Sequence, residues 1–275
     1  MSITIQALVM GIVQGLTEFL PVSSSGHLVI VPHLLGWTDP FITSLAFSVM
    51  LHLGTLVALL VYFWSEWLAI VPAGVAALRE RSFGSDPNRR LAWLLVVATI
   101  PAVIAGPILN DRLEAAVRTA EDVAVALVIG AAILWLADQV GRKVDGIERV
   151  SFPLAFGIGL AQSIALVPGI SRAGITISAG LFAGLTREAA ARFSFLMATP
   201  IIAGAGVFEA RNLISGDAGV PIQAGPLLVG MAAALVAGLA AIHFMLRYLR
   251  SRSYLVFVIE RIVLAALVLI AFLSR

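Results

Sequence analysis

The chain has 275 residues, 60% of them hydrophobic and only 12% charged, with 18 Lys+Arg against 16 Asp+Glu. Soluble domains carry about 25% charged residues. With a mean hydropathy of +1.01, a soluble enzyme and a disordered scaffold are excluded in favour of an all-α integral membrane protein. A net charge of +2 without a basic, aromatic-studded surface excludes nucleic acid as a partner, and the absence of Cys excludes disulfides, thiolate catalysis and Cys-based metal sites.

No Lys or Arg precedes Arg79, so the N-terminus does not read as a secretory signal. The first apolar region, 3–36, is broken in its middle by Pro21-Val22-Ser23-Ser24-Ser25-Gly26. Spans are expected at 41–64, 91–109 and 122–138, each close to the ~20 apolar residues that cross ~30 Å of hydrocarbon. Region 152–186 is broken again, at Pro168-Gly169-Ile170-Ser171-Arg172-Ala173-Gly174. Three further spans are expected at 189–208, 225–247 and 254–274.

Loop charge sets the orientation. Arg79, Arg81, Arg89 and Arg90 outweigh Glu80 and Asp86, and Arg247, Arg250 and Arg252 face no acid. With 139–151, these loops are expected in the cytoplasm. The stretches 110–122 and 209–223 lean acidic and read as outside. Each half of a broken region has too few residues for a comfortable span. Both regions therefore read as re-entrant hairpins, 3–36 entered from outside and 152–186 from the cytoplasm, which preserves the parity of crossings. Sliding the chain by 148 residues sets Gly11 and Gln14 on Gly159 and Gln162, Ser23 on Ser171, and Gly26 on Gly174. The expected architecture is one polytopic domain over 1–275. It has six transmembrane helices plus two re-entrant helical hairpins in an inverted-topology repeat, with halves 1–138 and 139–275.

Non-helical backbone is tolerated in a membrane only where protein buries it or it lines a wet cavity. Each break also starts a new helix, whose free N–H groups and dipole suit an anion. Glu18 is the only acid in the first 38 positions, and Arg172 the only Lys or Arg between Arg149 and Arg187. Intramembrane charges default to function, and guanidinium grips phosphate bidentately. A structural Glu18–Arg172 ion pair, a core histidine at His27 and a structural His52 are the plain alternatives. The coincidence of acid, imidazole, hydroxyls and Arg at two helix breaks favours a site.

The first break, Gln14-Gly-Leu-Thr-Glu18-Phe-Leu-Pro21-Val-Ser-Ser-Ser-Gly26-His27, and the second, Pro168-Gly-Ile-Ser171-Arg172-Ala-Gly-Ile-Thr176, resemble the two motifs of the undecaprenyl-diphosphate phosphatase (bacitracin-resistance) family. The resemblance covers the whole chain. It implies hydrolysis of undecaprenyl diphosphate to the monophosphate and inorganic phosphate. This recycles the lipid carrier of cell-wall synthesis and confers bacitracin resistance. It also implies a divalent cation, Mg²⁺ or Ca²⁺, six spans plus two re-entrant hairpins, and a site opening on the outer, periplasmic face of the bacterial inner membrane. Two positions bear on the metal: Gln14 stands where the family has Glu or Gln and so lacks one possible metal charge, and Ser48 stands where the family often has an acid. Ala173 replaces a hydroxyl seen in some members.

On this resemblance the catalytic set is Glu18, Ser24, His27 and Arg172. Ser23, Ser25, Gly26, Gly169, Ser171 and Thr176 bind substrate, and Glu18 assisted by Gln14 holds the metal. Ser24 is the expected nucleophile, with His27 as its base or as the acid on the leaving oxygen; the competing scheme has metal-activated water attack with Glu18 as base. Partners are the polyprenyl diphosphate and membrane lipids, with a homodimer left open. A transporter or flippase for a prenyl phosphate is the alternative from architecture, and a structural subunit the weakest reading.

Overall fold

The computed structural model describes residues 1–84, 86–116, 119–215 and 221–273; the side chains of 110–116, 120, 208–215 and 271–273 are not among what it describes. Acidic stretches 110–122 and 209–223 fall largely outside these described parts, Asp217 included. Eleven α-helices are seen among the described residues: α1 (Ile3–Phe19), α2 (Ser24–Leu35), α3 (Leu45–Tyr62), α4 (Trp64–Glu80), α5 (Pro87–Ala116), α6 (Ala120–Val140), α7 (Phe152–Ile164), α8 (Arg172–Phe182), α9 (Arg187–Ser215), α10 (Ala224–Tyr248) and α11 (Leu255–Leu273).

Many starts are written locally. Ser44 accepts from the Phe47 N–H at 3.0 Å, Ser151 caps α7, and Thr119 with Asp122 forms a capping box on α6, each satisfying donors that a helix start leaves free. Within α3, α5, α6, α9 and α10 lie five segments long and apolar enough to cross a membrane: 45–62, 87–109, 121–140, 187–207 and 224–248. These match five of the expected spans, and α11 occupies the sixth position. Helices α1, α2, α7 and α8 have 17, 12, 13 and 11 residues. At 1.5 Å per residue they reach about 17–25 Å, short of ~30 Å of hydrocarbon.

One helix was not expected. α4 follows α3 after a break at Phe63 and packs on α5. Glu66, Pro72, Arg79 and Glu80 interrupt its apolar pattern, so it does not read as a span; the packing against α5 supplies what propensity does not.

The packing pairs helices in a reciprocal way: α1 on α10 and α5 on α7, α3 on α10 and α5 on α9, with α3 against α9 and α6 against α11. Small residues bring the backbones together. A Cβ on Gly11 would stand 2.1 Å from the Gly230 carbonyl oxygen, and one on Gly159 would stand 2.3 Å from that of Ala98. These two glycines are 148 residues apart. Helix α9 runs through the centre, with Phe193, Phe195, Leu196 and Met197 buried. The two breaks, Leu20–Ser23 and Ala165–Ser171, are brought to its middle.

Candidate active site at two helix breaks

Both breaks end in the same device. Ser23 and Ser171 take φ of 74° and 73°, and each accepts from the N–H three residues on, Gly26 at 3.4 Å and Gly174 at 3.1 Å. Left-handed backbone at a non-glycine residue costs about 1–3 kcal/mol and gathers at functional sites. Its effect here is to turn the chain sharply into α2 and α8. A helix start leaves its first N–H groups without intrahelical partners. The cap takes the third, so those of Ser24 and Ser25, and of Arg172 and Ala173, remain. All four residues line one cavity of about 260 Å³, shared with Thr17, Glu18, His52, Gln162 and Ser171.

Glu18 is the hub. Its side chain is 2% exposed and ion-paired with Arg172, which is 19% exposed. On Oε2 it accepts from Ser24 Oγ at 2.7 Å and from Gln14 Nε2 at 2.9 Å, and His52 Nε2 lies 3.4 Å away. Gln14 and Glu18 share a helix face four residues apart. The Ser24 hydroxyl therefore already points its proton at a carboxylate. An acid, a guanidinium, several hydroxyl residues and two helix starts meet at one cavity.

A family model described as bacitracin resistance protein BacA matches residues 7–267. The chain belongs to the bacitracin resistance protein BacA family. Similar proteins named undecaprenyl-diphosphatase include one from Rubrobacter xylanophilus, 46% identical over 264 residues and 96% of each chain. Another, from Desulforudis audaxviator, is 44% identical over 270 residues and 98% of each chain, and a third, from Geobacter sulfurreducens, is 43% identical over 271 residues and 98% of each. Together with the apolar helices, membership makes this a multi-pass membrane protein.

This BacA family chain brings Glu18, Ser24, Ser25, Ser171 and Arg172 to one cavity, with Gln14 behind Glu18. Five expected members stand elsewhere. Expected as the base on Ser24, His27 donates Nδ1–H to the Ser23 carbonyl at 2.8 Å, while its Nε2 meets Glu260 of α11 at 3.0 Å. Both ring nitrogens are thus engaged away from Ser24. Thr176 was expected to bind substrate; its hydroxyl is spent on the Arg172 carbonyl at 2.8 Å and on Ser194 Oγ at 2.7 Å, the back-bonding habit of helical Thr. The Gly26 N–H is consumed by the Ser23 cap. Gly169 is a turn residue with φ of 97°, its carbonyl held by Arg261 Nη2 at 3.1 Å and its α-carbon so close to α6 that a Cβ would meet the Val123 carbonyl oxygen at 2.7 Å. Ser23 shapes the break from behind and is bonded to Ser25 Oγ at 3.3 Å.

One residue was left open and two were missed. His52, left open between structural and functional, lines the cavity beside Glu18; Nδ1–H donates to the Ser48 carbonyl at 2.8 Å, which leaves Nε2 toward the carboxylate. Glu260 and Arg261, adjacent on α11, each hold one break. Glu260 takes His27, and the fully buried Arg261 donates to the Gly169 and Ile170 carbonyls just before α8. The signal was present, an acid and a base inside an otherwise apolar span.

Proposed function

We propose that the protein hydrolyses undecaprenyl diphosphate to the monophosphate and inorganic phosphate, at the Glu18–Ser24–Arg172 centre. The single observation that carries this is the convergence of both helix starts on one cavity, with the Ser24 hydroxyl bonded to Glu18 at 2.7 Å and Arg172 beside it. The names of its relatives agree. Phosphoryl transfer needs positioning and charge neutralisation above all. Arg172 and the free N–H groups of Ser24, Ser25, Arg172 and Ala173 hold the diphosphate oxygens. Ser24 Oγ attacks the terminal phosphorus as its proton passes to Glu18, and the bond to the bridging oxygen breaks with the electron pair leaving on the lipid monophosphate. Water then cleaves the phosphoseryl ester. Glu18 takes the base role expected of His27, and His52 Nε2 is the next acceptor for its proton.

A divalent cation belongs to the same reading. The donors fit it as part of a shell: Glu18 offers a carboxylate, and the buried Gln14 Oε1 has no hydrogen-bond partner. Among the described residues no cluster of three His, Asp or Glu side chains stands ready for a metal. A hard cation with six or more oxygen ligands would draw the remainder from the diphosphate and water. Bound there, it supplies charge neutralisation on the diphosphate oxygens.

The α1–α2 and α7–α8 pairs are read as re-entrant hairpins of an inverted repeat, with six spans around them. Their short helices, the matched serine caps and the reciprocal helix pairing support this. With the basic loops in the cytoplasm, the site opens to the periplasm of the inner membrane. A Cys introduced at 39 is expected to label with impermeant reagent from outside, and one at 145 or 187 is not. Labelling at 187 would break the hairpin reading. Purified protein given undecaprenyl diphosphate is expected to release phosphate and to stop when chelator removes divalent ions. Movement of prenyl phosphate lipid across a bilayer without phosphate release would favour the transporter instead.

A further inference from the structure

We propose that Gln162 is a substrate-binding residue, its carboxamide donating to an oxygen of the diphosphate beside Arg172. The inference rests on the diphosphatase reading and adds a contact to it. Gln162 stands in the last turn of α7, is 3% exposed, and lines the same cavity as Glu18, Ser24 and Arg172. Neither its Nε2 nor its Oε1 has a hydrogen-bond partner. Native proteins rarely leave a buried amide unsatisfied at both ends, because each lost bond is costly. An unpaired buried amide in the wall of that cavity is where a ligand oxygen belongs.

The repeat explains why this amide is free. At the matching position in the first half, Gln14 spends its Nε2 on Glu18, four residues on along the same helix face. Four residues beyond Gln162 stands Leu166, which also lines the cavity. The helix therefore offers Gln162 no acid to bond. Nor can α7 turn the amide away. Gly159, one turn earlier, packs so close to Ala98 that a Cβ would stand 2.3 Å from its carbonyl oxygen, and one turn along α5 Ala102 lines the cavity with Gln162. The charge balance also calls for a neutral donor. Arg172 is already matched by Glu18, so a diphosphate entering the cavity needs donors beyond that guanidinium. The helix starts supply some, and Gln162 supplies one from the opposite hairpin arm.

The test compares purified wild type, Gln162→Met and Gln162→Glu for phosphate release from undecaprenyl diphosphate, with thermal unfolding of each. Gln162→Met is expected to lower kcat/KM by about tenfold to a hundredfold, mainly through a higher KM, because a bond to a charged group is lost. Its unfolding midpoint is expected to hold or rise, since two unpaired polar atoms are replaced by apolar ones. Gln162→Glu, nearly isosteric, is expected to lose more through repulsion of the diphosphate. Both variants within about threefold of wild type, or activity lost only in step with a lowered midpoint, would overturn the proposal. Wild type that releases no phosphate would instead overturn the diphosphatase reading.

Discussion

Glu18→Gln is expected to lower turnover by about 10³-fold or more while leaving substrate binding measurable. Gln keeps the volume and can still accept from Ser24, but it cannot take the proton; removing a general base typically costs 10²–10⁴-fold. It also leaves Arg172 without its buried counter-ion, and breaking such a pair typically costs about 3–5 kcal/mol. Unfolding midpoints therefore accompany the rates. A folded Glu18→Gln protein that turns over within tenfold of wild type would remove Glu18 from the chemistry and reopen the case for another base. His52 would then be first in line, 3.4 Å from the carboxylate.

Arg172→Lys is expected to lose most activity even though the charge is kept. The guanidinium pairs with Glu18 and still has donors left for phosphate oxygens, because its planar fork carries five N–H groups. An ammonium is a point charge with three donors and would have to choose between the two. A fall of about a hundredfold or more in kcat/KM is expected, or about 2.7 kcal/mol at the transition state. Hydrolysis within about threefold of wild type, about 0.7 kcal/mol, would show that charge alone suffices at this position.

The breaks were legible because Pro21, Gly26, Pro168 and Gly174 interrupt runs that are otherwise apolar. Intramembrane Glu18 and Arg172 declared themselves by their cost. What the sequence could not convey was which side chains meet across the fold. Proximity in the chain made His27 the natural partner for Ser24, yet its ring is claimed by the Ser23 carbonyl one turn back and by Glu260, 233 residues away. His52 reaches Glu18 only because α3 packs against α1. Thr176 looked like a ligand for phosphate in a motif; on a helix its hydroxyl finds the carbonyl four residues earlier. α4 escaped notice because its charges and Pro72 dilute a pattern that only packing on α5 completes.

The central claim is that two helix breaks, 148 residues apart in the chain, build one phosphoryl-transfer centre. A double-mutant cycle on Glu18 and Arg172 measures that directly, with Glu18→Gln, Arg172→Gln and the double variant compared for kcat/KM on undecaprenyl diphosphate. Residues that act as one unit are strongly non-additive. The double variant is therefore expected to be no worse than the poorer single one. Losses that multiply, each independent of the other, would contradict a shared centre.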